Sequence, residues 1–212
     1  KGAYLAKAGI MKMISELMKD VDDYDSLNEE WNTTKELDFG KDTVYYRASD
    51  EMARLNLNGA GLKKENLTAL ELDKLDVALS EKIIAYKNTK GDKGFEFMEE
   101  LFLVEGMTRD IYSGIKDMVT IYRGNDVKIN INTASEKVLT AVIEDGSLIP
   151  KIMEFRKKQE EKERAEDDGI FTPDKFTSIF EDFGVTSETV CIKSNFFRIS
   201  TQYFFSVDKT TF

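Results

Sequence analysis

The chain has no histidine and a single cysteine, Cys191, in 212 residues. Without histidine, the usual general base, the His-containing triads and imidazole metal sites are excluded. One cysteine excludes an internal disulfide and thiolate zinc sites, and it leaves the redox compartment open. Prolines number two, and Trp31 is the only tryptophan. No apolar run reaches the roughly 18 residues of a transmembrane helix. Gly-rich phosphate loops and nucleophile motifs are also missing, and catalysis would have to rest on carboxylates, Lys, Tyr or Ser. Forty acids guarantee close carboxylate pairs somewhere, so such a pair is no sign of a hydrolase. The sequence therefore reads as that of a non-enzymatic protein with no required cofactor. Acids outnumber the 30 bases, and the net charge of −10 disfavours unspecific binding to nucleic acid or anionic membrane.

Hydrophobic residues make up 41% of the chain, enough for a packed core in one large domain or two small ones. Residues 3–21 carry Ala3, Ala6, Ile10, Met13, Ile14, Leu17 and Val21, a spacing that predicts a helix with one apolar face. No capping residue precedes it, so the helix is expected to continue before Lys1. An acidic stretch holding Asp22, Asp23, Asp25 and Trp31 follows, with Trp31 expected in the core or at its edge. Residues 43–48 read as a strand, Asp50-Glu51 as a turn, and 53–57 as an extended segment.

The most informative phrase is D-V-K-I-N-I-N-T-A-S at 126–135. Val127, Ile129 and Ile131 alternate with polar residues, as in a strand, and Thr133-x-x-Glu136 reads as a capping box opening a helix. A near copy stands at Leu55-Asn56-Leu57-Asn58, and Thr68-x-x-Glu71 is a second candidate capping box. Further matches link Lys82–Lys87 to Lys151–Arg156, and Phe95 to Phe171. Helices are expected near 96–104, 108–117, 134–144, 148–164 and 173–182, a short strand at 119–122, and a β-rich end over 190–207. The charged run 157–168 reads as a solvated helix end and loop. Order is kept while loop lengths vary, which indicates a duplicated unit.

Each copy resembles a helix-hairpin-helix unit. DNA-binding versions present backbone N–H groups from a Gly-rich hairpin to phosphate. Here the hairpins read Ile143-Glu144-Asp145-Gly146-Ser147 and Asp76-Val77-Ala78-Leu79-Ser80. Basic residues are absent from both, so a scaffold is expected rather than nucleic-acid binding.

Taken together, Ala6-x-Ala8-Gly9-Ile10, Tyr24-Asp25-Ser26-Leu27, Glu30-Trp31, the Asp50–Asn58 stretch, Glu99–Thr108, Val119–Tyr122 and Ser194-x-x-Phe197-x-Ile199 resemble the K-type minor pseudopilins of bacterial type II secretion systems. The resemblance runs over nearly the whole chain. It implies an α+β fold: a pilin-like N-terminal helix packed on a small antiparallel sheet, with a large all-helical domain of two repeats inserted. The pilin-like part is placed at 1–58 and 189–212, and the insertion at 59–188. The resemblance further implies a periplasmic domain anchored in the inner membrane by a helix preceding Lys1. It implies a place at the pseudopilus tip with I- and J-type minor pseudopilins, contact with secreted proteins, and no nucleic acid. Ile10, Met13, Ile14 and Leu17 are the expected helix face, serving its own sheet, partner helices or both. Some members bind calcium, for which the candidates are Asp22, Asp23, Asp25, Asp50, Glu51 and Glu166-Asp167-Asp168. None has the spacing of a defined calcium loop, and each also reads as a solvated turn. A minor pilin of a type IV pilus is the alternative with the same architecture, and a nucleic-acid-binding module is the other.

Overall fold

A computed structural model of the chain describes residues 2–70, 75–124, 128–160, 169–175 and 189–205. The chain divides into two compact units. The smaller comprises Lys1–Asp22, Leu27–Asp50 and Phe197–Phe212, and the larger comprises Asp23–Ser26 and Glu51–Phe196.

In the smaller unit, helix α1 (Gly2–Leu17) packs on a three-stranded antiparallel sheet. The strands are β1 (Lys35–Phe39), β2 (Asp42–Asp50) and β7 (Phe197–Phe205), in the order β1-β2-β7. Strand β2 alternates in burial, and Val44, Tyr46 and Ala48 face inward. Gly9 permits the close approach of α1, because a Cβ there would meet Val44 and Thr201 at 3.0 Å. Met13, Trp31, Tyr46 and Ala48 form the core, with Leu17, Leu37, Phe197 and Ile199 packed against it. Trp31 meets Phe197 edge to face at 5.1 Å, so the core placement of Trp31 holds. Helix α1 stops four residues short of the expected Val21. There the Asp20 carboxylate accepts the Asp22 N–H at 3.0 Å, a local turn that competes with helix.

The larger unit contains α2 (Lys64–Thr68), α3 (Val77–Thr89), α4 (Arg109–Ile115), α5 (Glu136–Val142), α6 (Leu148–Glu160) and a 3-10 helix, Met98–Leu103. It is not all-helical. Strand β3 (Leu55–Asn56) runs parallel to β4 (Val119–Thr120), and β5 (Ile129–Asn130) runs parallel to β6 (Val190–Cys191). Each N-x-N phrase needs partners for its backbone, and finds them in a short strand at the far end of its own repeat. This pairing places 51–58 and 189–196 in the larger unit, so the division falls at 50/51 and 196/197 rather than at 58/59 and 188/189.

The duplication is visible bond by bond. The Asn58 side chain accepts the Phe95 N–H at 2.7 Å and donates to the Phe95 carbonyl at 2.9 Å. Asn132 does the same to Phe171, at 2.8 and 3.0 Å. Asn56 and Asn130 each accept the backbone N–H two residues on. Tyr86 packs on Phe95, and Phe155 on Phe171. Lys87 donates to the Gly59 carbonyl and Arg156 to that of Ala134, both at 2.5 Å. Gly94 is required in the first repeat, since its φ is +58° and a Cβ there would strike the Asn58 amide. One continuous core joins the two repeats, from Leu55 through Ile83, Phe95, Ile131 and Phe171 to Ile192.

Both expected capping boxes are displaced. Ser135, not Thr133, caps α5 through the Val138 N–H, while the Thr133 hydroxyl turns to the Asn130 carbonyl. Thr68 ends α2, and Asp76 caps α3 through the Leu79 N–H at 2.8 Å. Glu71 lies outside the described residues, as do most of the expected helix 173–182 and loop residues 161–168.

Candidate partner interface

Helix α1 is apolar on more than one side. Of the four expected interface residues, Met13 is fully buried, Leu17 packs against the same core, and Ile10 and Ile14 are half-buried along its flank. The outward side carries Tyr4 (81% exposed) and Met11 (55%), with Met18 (81%) in the turn directly after the last helical residue and Val21 (88%) further on. Tyr4, Met11 and Met18 recur every seven residues, the period of a seam between helices. Sequence reasoning missed them, because the three-and-four spacing of the inward residues gave the stronger signal.

The C-terminal end of α1 is polar and acidic. Lys35 bridges Glu16 at 3.0 Å and Glu30 at 2.9 Å, and the Tyr46 hydroxyl donates to Glu16 at 3.1 Å. Burial pushes the Glu16 carboxyl up, but the bonds from Lys35 and Tyr46 outweigh it and hold the group below its ordinary value. Burial likewise opposes the charge on Lys35, and its two carboxylate partners outweigh it and raise its pKa. Beside this network lies a pocket of about 440 Å³, lined by Leu17, Asp20, Asp22, Glu29 and Trp31 among others.

Asp20, Asp22 and Glu29 bring carboxylate oxygens within 4.8 Å of one another. Of the predicted calcium candidates, only Asp22 belongs to this group; Asp20 and Glu29 were not foreseen. Asp23 is exposed, in the segment assigned to the larger unit. Asp25 is buried there and accepts the Ser194 N–H at 2.6 Å. Asp50 is buried at the end of β2. Glu51 is buried between Arg54, at 2.6 Å, and the Thr120 hydroxyl, which donates to it. Asp167 and Asp168 lie outside the described residues. The structure thus spreads the predicted acids over separate places and gives Asp25 and Glu51 partners within their own unit.

The hairpin of the second repeat is occupied from within. Asp145 accepts the Ser147 N–H at 2.9 Å, and bonds from Ser147 hold its carboxyl below the ordinary value. A phosphate approaching there would meet Glu144 and Asp145 instead of free N–H groups. Among the described residues, no helix is long and apolar enough to cross a membrane.

No protein-family description matches the chain, and no curated protein does. Among solved structures, the chain is similar to one in the crystal structure of the GspK-GspI-GspJ complex from the enterotoxigenic Escherichia coli type 2 secretion system. The TM-score is 0.64 at 13% identity, over 94% of this chain and 84% of that one. At that identity the likeness is one of fold: this chain shares the architecture of a component of that complex.

Proposed function

We propose that the protein is a minor pseudopilin of a type II secretion system, of the K type, working as a structural and assembly component. The observation that carries this reading is α1, which packs one side on a pilin-like sheet and leaves a second apolar stripe uncovered. A helix apolar on both sides calls for a partner on the outer one. The I- and J-type minor pseudopilins are the partners this reading names, since the solved structure with the same fold is a complex of GspK with GspI and GspJ. The duplicated unit adds bulk to one subunit, which suits the end of a filament better than its middle and supports a tip position. The reading places the protein at the cell envelope, as the periplasmic part of an inner-membrane protein, in reach of secreted proteins. Deleting the gene should stop secretion through the system and leave its substrates in the periplasm; unchanged secretion would overturn the assignment.

Calcium belongs to this proposal at Asp20, Asp22 and Glu29. Hard oxygen donors suit it, and carboxylates beside the negative end of a helix dipole favour a cation. Two of their oxygens already accept N–H groups, from Asp22 and from Trp31. The shell is therefore incomplete without water, and affinity should lie near the millimolar range of about 10⁻⁴–10⁻³ M. Ten times such a Kd stabilises by about 1.4 kcal/mol, which raises the Tm by about 3–5 °C. Melting in calcium and in chelator, with Asp22→Asn as the control, checks this, and identical curves would remove calcium from the account.

A further inference from the structure

Asn58 is the only asparagine in the chain that is followed by a glycine, Gly59. An asparagine in that position is open to loss of its amide, because no side chain shields the next backbone nitrogen and glycine lets the chain turn back on itself. The Gly59 nitrogen gives up its proton and bonds to the Asn58 Cγ. The bond from Cγ to Nδ2 breaks, Nδ2 takes up the proton, and ammonia leaves behind a cyclic imide. Water then opens the imide at either carbonyl. The product is aspartate, or an isoaspartate whose main chain runs through the side chain.

The fold holds each participant away from this reaction. The Gly59 N–H donates to the Asn56 carbonyl at 3.0 Å, and Gly59 is buried. The Asn58 amide nitrogen donates to the carbonyls of Phe95 at 2.9 Å and Ile121 at 3.0 Å, and its oxygen accepts the Phe95 N–H at 2.7 Å. Gly94 walls the same amide in, since a Cβ there would lie 2.8 Å from the Asn58 Cγ. The attack therefore requires the clamp to open and the Gly59 N–H to leave Asn56.

The second repeat supplies the comparison. Asn132 holds Phe171 by the same two bonds, but Thr133 follows it, and a branched side chain beside the nitrogen hinders the attack. The two clamps are alike in the folded chain and unlike in the unfolded one. The product also fits the first clamp poorly. A carboxylate accepts and does not donate, so the carbonyls of Phe95 and Ile121 would lose their donor and face a negative charge in a half-buried place. An isoaspartate would lengthen the main chain directly after β3, where the Leu57 N–H reaches the Thr120 carbonyl.

We propose that Asn58 is a deamidation site that folding shuts and unfolding opens, so that a chain left unfolded is altered irreversibly and loses its first clamp. The proposal stands apart from the pseudopilin reading, which rests on α1. It is tested by peptide mass spectrometry on the unaltered protein, kept in mildly alkaline buffer with and without guanidinium chloride. In denaturant the peptide holding Asn58 should gain the mass of an amide-to-acid change while the peptide holding Asn132 stays as it was. Over the same time in native buffer neither should change. On removal of the denaturant, converted chains should fail to refold or should unfold at a lower denaturant concentration than unconverted ones. Gly59→Ala should slow the conversion in denaturant to the rate of Asn132, a readout that does not depend on refolding. Conversion at Asn58 as fast in the folded protein as in the denatured one, equal conversion at Asn132, an unslowed Gly59→Ala variant, or converted chains as stable as unaltered ones would each overturn the proposal.

Discussion

Asn58 and Asn132 each satisfy both backbone groups of one phenylalanine, and each does so beside a buried ring. That is why asparagine, with a donor and an acceptor on one amide, recurs at the second position of the phrase. Removing the amide loses two hydrogen bonds and strands a buried N–H. Asn132→Ala should therefore cost about 2–4 kcal/mol, read as a shift in the urea midpoint at unchanged slope. A change within about 0.5 kcal/mol would refute the clamp. Glu100 is the other residue whose role can be titrated. Lys90, with help from the backbone N–H groups of Glu96 and Phe97, lowers its carboxyl from 4.5 to about 2. A depressed carboxylate pKa contributes stability that is complete above the unfolded value of 4.5 and is lost as pH falls through about 2. The Glu96 and Phe97 amide resonances should follow that midpoint, and a midpoint near 4.5 would show that the contacts are absent in solution.

At the scale of elements, the sequence predicted helix α1, strand β2, the closing strand β7 and the repeated order of the larger unit, because each is written in local periodicity. The short parallel ladders were not legible. Two residues of strand carry no periodic signal, and their partners lie some 60 residues away in sequence. The capping boxes misled for a related reason: Thr133 and Thr68 fit the pattern, but Asn130 and the end of α2 had already taken their hydroxyls. Gly9 shows what periodicity alone leaves out, since only the sheet reveals the need for a small residue. Gly9→Val should lower stability by about 1–3 kcal/mol through overpacking against Val44 and Thr201, and Gly9→Ala by less. Thermal melts of the two variants check the order.

For the molecule as a whole, the candidate interface was half legible. The expected residues Ile10, Met13, Ile14 and Leu17 mark the side of α1 that serves its own core and flank, while the free side became visible only once the sheet was in place. The acids scattered through the sequence looked equivalent until folding buried Asp25, Asp50 and Glu51 and gathered Asp22 with Asp20 and Glu29. On the proposed function, the outer apolar side of α1 joins this protein to I- and J-type minor pseudopilins. Sedimentation velocity of the protein mixed with I- and J-type pseudopilins of the same system measures that association. One heteromeric species should form with the unaltered chain, and Met11→Glu with Met18→Glu should dissociate it while leaving the fold intact. Separate, unmixed boundaries for the unaltered chain, or an undiminished complex with the variant, would contradict the account.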